Sequence, residues 1–272
     1  MENFVKYRGK IRLLSPLSHN ADETLGTDTK FRRINSVWNG SSIRIPVYSG
    51  NAFRGILRRI AAKQFCDLLG LKKETISDRL YYTWFTGGML QKGSSQDYIE
   101  VGQKREVRET IPFLSIFGCA LQNQILGGKM DIGMAIPIAK ETEHMTGIES
   151  TMTIWEMVDE IFYTRRDDLE DPKEQKEQAQ QMKYSGEVLV PGTELSHNIA
   201  LSQVSDIEIS CFHHAMSEMV SIGVLGGKSS VGHGQVKFDY GEAFDKSQAY
   251  LDYVAANKQK MLDYVAKMGI CG

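Results

Sequence analysis

Long apolar runs are missing from this chain: none approaches the roughly 18 uninterrupted apolar residues of a membrane-spanning helix. The opening Met1-Glu2-Asn3-Phe4-Val5-Lys6 also lacks the apolar stretch of a signal peptide. A cytoplasmic location and no membrane partner are therefore expected. Cysteines are few and scattered: Cys66, Cys119, Cys211 and Cys271 have no paired spacing of the kind zinc sites use. They read as reduced, mostly buried thiols, so disulfides, structural metal and cofactors are not expected. The adjacent His213 and His214 point about 100° apart on a helix and cannot chelate one ion together. A triphosphate-binding loop is absent too. Gly227-Lys228-Ser229 would need glycine at 222, where Ile222 stands, and the local order is helix, loop, strand instead of strand, loop, helix.

At 272 residues and 42% hydrophobic content, the chain can bury a full core as a single elaborated domain, 1–272. Its net charge of -2 hides a strong asymmetry. Residues 1–63 carry 12 Lys or Arg against 4 acids, a balance of +8, and the remainder holds 20 against 30, a balance of −10. A basic segment in an otherwise acidic chain suits a surface that tracks a polyanion, and the acidic remainder equally suits a basic neighbour.

Val5 to Leu14 alternates apolar residues with Lys6, Arg8, Lys10 and Arg12, the period of a half-exposed strand with a basic face. Residues 18–42 read as a long polar loop that includes a ribbon. Ile43 to Tyr48 is a strand, leading into a helix over 49–66. Ser49 is a good N-cap for that helix. Gly50 and Asn51 leave backbone N–H groups open at its positive end, while Arg54 and Arg58 share one face. This start reads either as a phosphate cradle or as an ordinary capped amphipathic helix with solvated arginines.

Further on, Pro112 to Gln122 predicts a helix and Lys129 to Ile138 a strand. Residues 70–110 read as an insertion, with an aromatic knot at Tyr81 to Phe85 that suits satellite core better than a stacking platform. Residues 140–186 carry a charged, glutamine-rich stretch, Arg165 to Gln178, with little to offer a core. Glu187 to Val204 returns to strand character around a Pro191-Gly192 turn. Asp206 to Ile222 predicts an amphipathic helix, Gln235 to Tyr240 a strand, and 242–267 a terminal helix. Two strand-helix-strand blocks with insertions make an α+β fold compatible with a ferredoxin-like sheet. Between the last helix of that unit and its last strand lies Gly223 to Gly234. It reads as a donor-rich loop fit for a phosphodiester backbone or as a tight connection needing positive φ.

Three motifs together resemble the RAMP superfamily of CRISPR-associated proteins: Ser49-Gly50-Asn51-Ala52-Phe53-Arg54-Gly55 after a strand, Pro112 to Gly118, and the loop Gly226 to Gly234. More narrowly, the chain looks like the repeated subunit that lines guide RNA in class 1 effector complexes. Tyr163 to Asp167 and Pro191-Gly192-Thr193 make it similar to the type IV version more than to type III. The resemblance implies an RRM-like palm with a fingers-like insertion at 67–110 and a thumb-like insertion at 140–186. It implies guide RNA, complementary target nucleic acid, further copies in a helical stack and other CRISPR effector subunits as partners. Residue by residue, it assigns guide-phosphate contacts to Asn20, Ser49, Asn51, Arg54 and Arg58, with Gly227, Lys228, Ser229, Ser230 and Gly232 wrapping the backbone. Arg165 or Arg166 would sit at the thumb. The palm lacks the paired aromatics of a base-stacking RRM, so recognition should be of backbone and shape. Type III relatives cut target RNA through an acid in the loop after the first strand, which here offers Asp22, Glu23 and Asp28. A metal-dependent endoribonuclease acting through Asp22 or Asp28 is the alternative; a passive scaffold with no catalytic residue is the main expectation.

Overall fold

The computed structural model describes residues 4–25, 28–72, 76–88, 101–121, 124–165 and 182–270. In chain order its first half contains β1 (Phe4–Leu13), β2 (Asn20–Leu25), β3 (Asp28–Phe31), β4 (Arg33–Trp38), β5 (Ser41–Pro46) and α1 (Gly50–Leu69). Then come α2 (Asp78–Tyr81), a π-helical turn Tyr82–Thr86, α3 (Val101–Thr110), α4 (Pro112–Phe117), β6 (Cys119–Leu121) and β7 (Gln124–Leu126). The second half has β8 (Met130–Ile132), β9 (Ile136–Pro137), α5 (Glu143–Thr146), β10 (Val158–Arg165) and β11 (Met182–Leu189). It closes with β12 (Glu194–Ser202), α6 (Asp206–Ile222), β13 (Val236–Asp239) and α7 (Gln248–Ile270).

The central sheet runs β13-β1-β12-β8, with β9 also on β12. Its pairings are antiparallel throughout. Taken in chain order, β1-α1-β8-β12-α6-β13 is a βαββαβ unit with its first and third strands in the middle, which is the ferredoxin-like topology. The α+β expectation therefore holds. The alternation in β1 does what its period implies: Tyr7, Ile11 and Leu13 are buried, and Lys6, Arg8, Lys10 and Arg12 are exposed. On the buried face lie α1, through Phe53, Leu57, Ile60 and Ala61, and α6, through Phe212, Ala215 and Met216. Each fully buried ring or branched chain contributes roughly 1.5–3 kcal/mol. Helix α7 adds Tyr250, Val254, Met261 and Val265 to that core.

Capping explains why α6 begins where the sequence places it. Ser205 accepts from the Glu208 backbone N–H, and the Glu208 carboxylate takes the Ser205 N–H at 2.7 Å. Lys129 holds the same carboxylate at 2.8 Å, so the acid stays below the usual carboxylate range despite its burial.

Several element expectations are corrected. Residues 18–42 hold the expected ribbon, which β4 forms with β5, but also a second strand pair, β2 with β3, in place of loop. Helix α4 stops at Phe117 because Gly118 turns the chain at φ 65, where a side chain would meet the Leu126 carbonyl oxygen. The predicted strand 129–138 breaks at Gly133, against which the start of α1 presses. Helix α1 runs to Leu69, where Gly70 caps it in the left-handed conformation. The terminal helix starts at Gln248.

The aromatic knot is core in part: Trp84 is buried edge-on to Phe65 and Phe113, while Tyr82 is exposed. Cys66, Cys119 and Cys211 are buried free thiols; Cys271 lies outside the described residues. His213 is buried against Tyr7 and His214 is half-buried. Among the described residues no helix is long and apolar enough to cross a membrane, and no group of three metal-ligating side chains occurs.

One buried histidine under the sheet carries a pH dependence. His197 on β12 bonds the Tyr240 hydroxyl at 2.6 Å and donates its Nε2–H to the Gly133 carbonyl at 3.1 Å. Burial pushes it down from 6.5 to about 4, with the Gly133 bond opposing. The unfolded chain thus binds the extra proton first, so stability is full above pH 6.5 and falls as pH drops toward 4. The difference corresponds to about 3 kcal/mol. Urea titrations at pH 7 and pH 4.5 should show this loss in the parent. His197→Leu should be weaker at pH 7 yet show a correspondingly shallower decline; an identical slope in both would refute the assignment.

Candidate nucleic-acid interface

Three segments converge beside the central sheet: the connection from β1 to β2, the glycine loop 223–234, and the hairpin of β10 and β11. The connection holds the other two. Leu17 exchanges backbone hydrogen bonds with Leu189 of the hairpin, and the Ser18 carbonyl accepts from Gly227 N–H at 3.0 Å. The loop closes on itself where Leu225 N–H meets the Gly234 carbonyl at 2.8 Å, and Gly234 N–H reaches the Pro16 carbonyl at 2.8 Å. Glycine is required there: at Gly234, φ is +81 and a Cβ would stand 1.8 Å from the Leu225 oxygen.

The start of α1 joins them there. Tyr48 accepts from Gly226 N–H at 3.1 Å, and the Ser49 N–H goes to His19 Nε2 at 3.2 Å. Ser49 occupies the N-cap with extended geometry but makes no side-chain cap bond, and no acid lies in the first turn. The positive end of α1 is thus left without a compensating carboxylate on its own helix. Asn51 is exposed beside it, and Asn20 is exposed at the start of β2.

Beneath the loop lies an aromatic pair that the sequence reading assigned no role. Tyr163 and Tyr184 face each other across β10 and β11 and stack at 5.1 Å and 16°. Lys228 lies on that pair, its ammonium 3.7 Å from the Tyr163 centroid. The lysine adopts φ 60, one of three left-handed non-glycine positions among the described residues. Burial lowers its pKa. His233 ties the corner together, with Nδ1 2.8 Å from Ser18 Oγ and Nε2 3.3 Å from the Tyr163 hydroxyl. Burial, and then the charge of Lys228, hold this histidine below its usual range, so it is a neutral bridge at pH 7. Tyr184 and His233 are far from each other in sequence, and nothing local marks either.

The expected site residues divide. Lys228, Ser229, Ser230, Gly227 and Gly232 come together in the loop, but the Gly227 and Gly232 N–H groups bond the Ser18 and Ser229 carbonyls. What the loop exposes is the two serines at the start of the 3-10 turn Ser229–Val231, beside the half-buried Lys228, whose ammonium lies against the Tyr163 ring. Arg54 and Arg58 correct both readings of α1, since neither guanidinium is turned to solvent as a free donor. Arg54 donates to the Met130 and Phe117 carbonyls, both at 2.7 Å. Arg58, 8% exposed, donates to the Phe117 and Gly118 carbonyls at 2.7 and 2.8 Å. Burial first, and then Arg54, bring Arg58 down to about 10, so it stays charged at pH 7. These arginines staple α1 to the end of α4. Arg165 ends β10 with its side chain outside the described residues, and Arg166 lies outside them altogether.

The acids of the alternative reading are separated in the same way. The Asp22 side chain lies outside the described residues. Asp28 is exposed at the start of β3, where its Oδ1 lies 2.7 Å from Ser185 Oγ; Glu160 Oε1 approaches the same hydroxyl at 2.6 Å. Nearby, Glu187 gathers Lys30, Arg33 and the Phe31 N–H.

No family model and no curated protein matches this chain. Among solved structures, it is similar to a chain of a type IV-B CRISPR complex, with TM-score 0.66 and 22% identity, over 86% of this chain and 90% of that one. The shared property is the α+β fold, over nearly the full length of both.

Proposed function

We propose that this chain is a backbone subunit of a CRISPR ribonucleoprotein effector complex. In that role it binds guide RNA by its phosphates, oligomerises along it in a helical stack, and leaves bases free to pair with a target strand. The observation that carries this reading is the corner where the glycine loop, the start of α1 and the hairpin root meet around Lys228. Its donors are a lysine, hydroxyls and main-chain groups, which hold phosphates without reading bases. Asn20, Ser49, Asn51, Lys228, Ser229 and Ser230 make the contacts; Gly227 and Gly232 shape the loop, and Arg165 or Arg166 acts from the hairpin. Arg54 and Arg58 serve by holding α1. Residues 67–110 act as fingers and 140–186 as a thumb, and other effector subunits complete a cytoplasmic particle. Similarity in fold to a chain of a type IV-B CRISPR complex supports the reading.

Purified protein should carry a discrete RNA with constant ends. Lys228→Gln should weaken guide binding about tenfold for all sequences alike and reduce the salt slope by about 0.7. Nucleic-acid-free protein with unchanged affinity in the variant would sink the proposal. A second reading, metal-dependent cleavage of target RNA, is favoured by one observation: Asp28 and Glu160 approach the same Ser185 hydroxyl. That hydroxyl has one proton and cannot donate to both carboxylates. Regularly spaced products in Mg²⁺, lost in Asp28→Asn while binding persists, would establish it.

A further inference from the structure

We propose that the open face of the palm sheet is a second single-strand nucleic-acid site, separate from the Lys228 corner. Helices α1 and α6 cover one face of the sheet; on the other, β1 presents Phe4, Lys6, Arg8, Lys10 and Arg12, all exposed. Alternate residues of a strand lie about 7 Å apart, so the four cations form a straight ladder roughly 20 Å long. That repeat is close to the phosphate spacing of an extended single strand. Polar donors flank the ladder, since Arg8 lies opposite Asn198 and Lys10 opposite Ser196 on β12. On the other side, Lys237 of β13 stands opposite Arg12.

Neutralisation of the ladder is partial. Glu194 meets Lys10 at 3.3 Å, an exposed pair of little strength. Asp239 also stands opposite Lys10, while its Oδ1 accepts from Gly241 N–H. Phe4, 63% exposed, offers a ring on the same face at the other end, the combination of cationic track and stacking aromatic that single strands use. Lys10 and Arg12 also line a cavity of about 640 Å³, where Ser150 and Thr151 stand with the acids Glu149 and Glu194.

A protein partner fits this face poorly. The centre of a stable protein interface is apolar and depleted in charge, and here the centre is Arg8, Lys10 and Asn198. One phosphate ladder serves RNA or DNA, and in a guide-bound particle the natural occupant is a strand other than the guide.

The test uses the full chain with bound guide, titrated with a fluorescent, non-complementary oligouridylate and, separately, oligothymidylate. Lys6→Gln, Arg8→Gln and Arg12→Gln together should lower affinity for the added strand at least tenfold and reduce the salt slope by about 2, with guide retention unchanged. Equal loss for both strands identifies a pure phosphate ladder; loss for one alone assigns the face to that sugar. Unchanged affinity would overturn the proposal, as would joint loss of the guide, or loss of self-assembly with strand binding intact. The same titration on RNA-free protein reads the ladder by itself, so it remains decisive if the guide-holding proposal fails.

Discussion

Arg58→Ala is expected to lower the unfolding free energy by about 3 kcal/mol, because it removes two charge-assisted bonds, strips the Gly118 carbonyl of its guanidinium donor and leaves the Phe117 carbonyl to Arg54 alone. The accepting oxygens belong to Phe117 and Gly118, where α4 ends and the chain turns into β6. The guanidinium also lies over the Phe117 ring, its carbon 5.4 Å from the centroid. Arg59, the next residue, is exposed, so Arg59→Ala should stay within about 0.5 kcal/mol of the parent. Arg58→Lys should fall between, since an ammonium keeps the charge but not the planar fork. Denaturant titration of the three variants decides the matter. A phosphate-contact role predicts the reverse, with parental stability in Arg58→Ala and weakened RNA binding.

Gly234→Ala should destabilise by on the order of 3 kcal/mol, combining left-handed strain with a collision against main chain. A Cβ there would stand 1.8 Å from the Leu225 oxygen, and backbone does not give way as a flexible side chain does. Gly232 is the control. It has φ +87 but nothing within 4 Å of a Cβ, so Gly232→Ala should cost only about 1 kcal/mol of strain. If the two variants prove equally stable, the loop is not closed as described. A small loss at Gly232 combined with normal RNA binding would further show that only one of these glycines shapes the corner.

The parts of this molecule that were legible in the sequence are those set by local physics. The alternation of β1, the capping box at Ser205 and Glu208, and the helix Asp206–Ile222 all follow from periodicity and caps. The stretch 18–42 reads as a polar loop with a ribbon, because apolar alternation is weak there; the pairing of β2 with β3 carries no such signal. Arg54 and Arg58 show another limit. A surface arginine and one that binds buried carbonyls look alike in a helix pattern, and only the arrival of Phe117 and Gly118 from some sixty residues away tells them apart. The Tyr163–Tyr184 pair is hidden for the same reason, since its register is made by pairing across the hairpin. The glycine loop was legible as a loop with donors. Which of those donors bond within it depended on Pro16 and Ser18, from the far end of the chain.

Leu17 and Ser18 are neighbours, yet they bond to different bodies: Leu17 to Leu189 in the hairpin and Ser18 to Gly227 in the loop. A single dipeptide is therefore the fulcrum between two levers. The other links across it, His233 to Ser18 and Tyr163, and Lys228 over the Tyr163 ring, have ends on both arms. A displacement of the hairpin is therefore coupled to the glycine loop through two adjacent residues instead of a long connection.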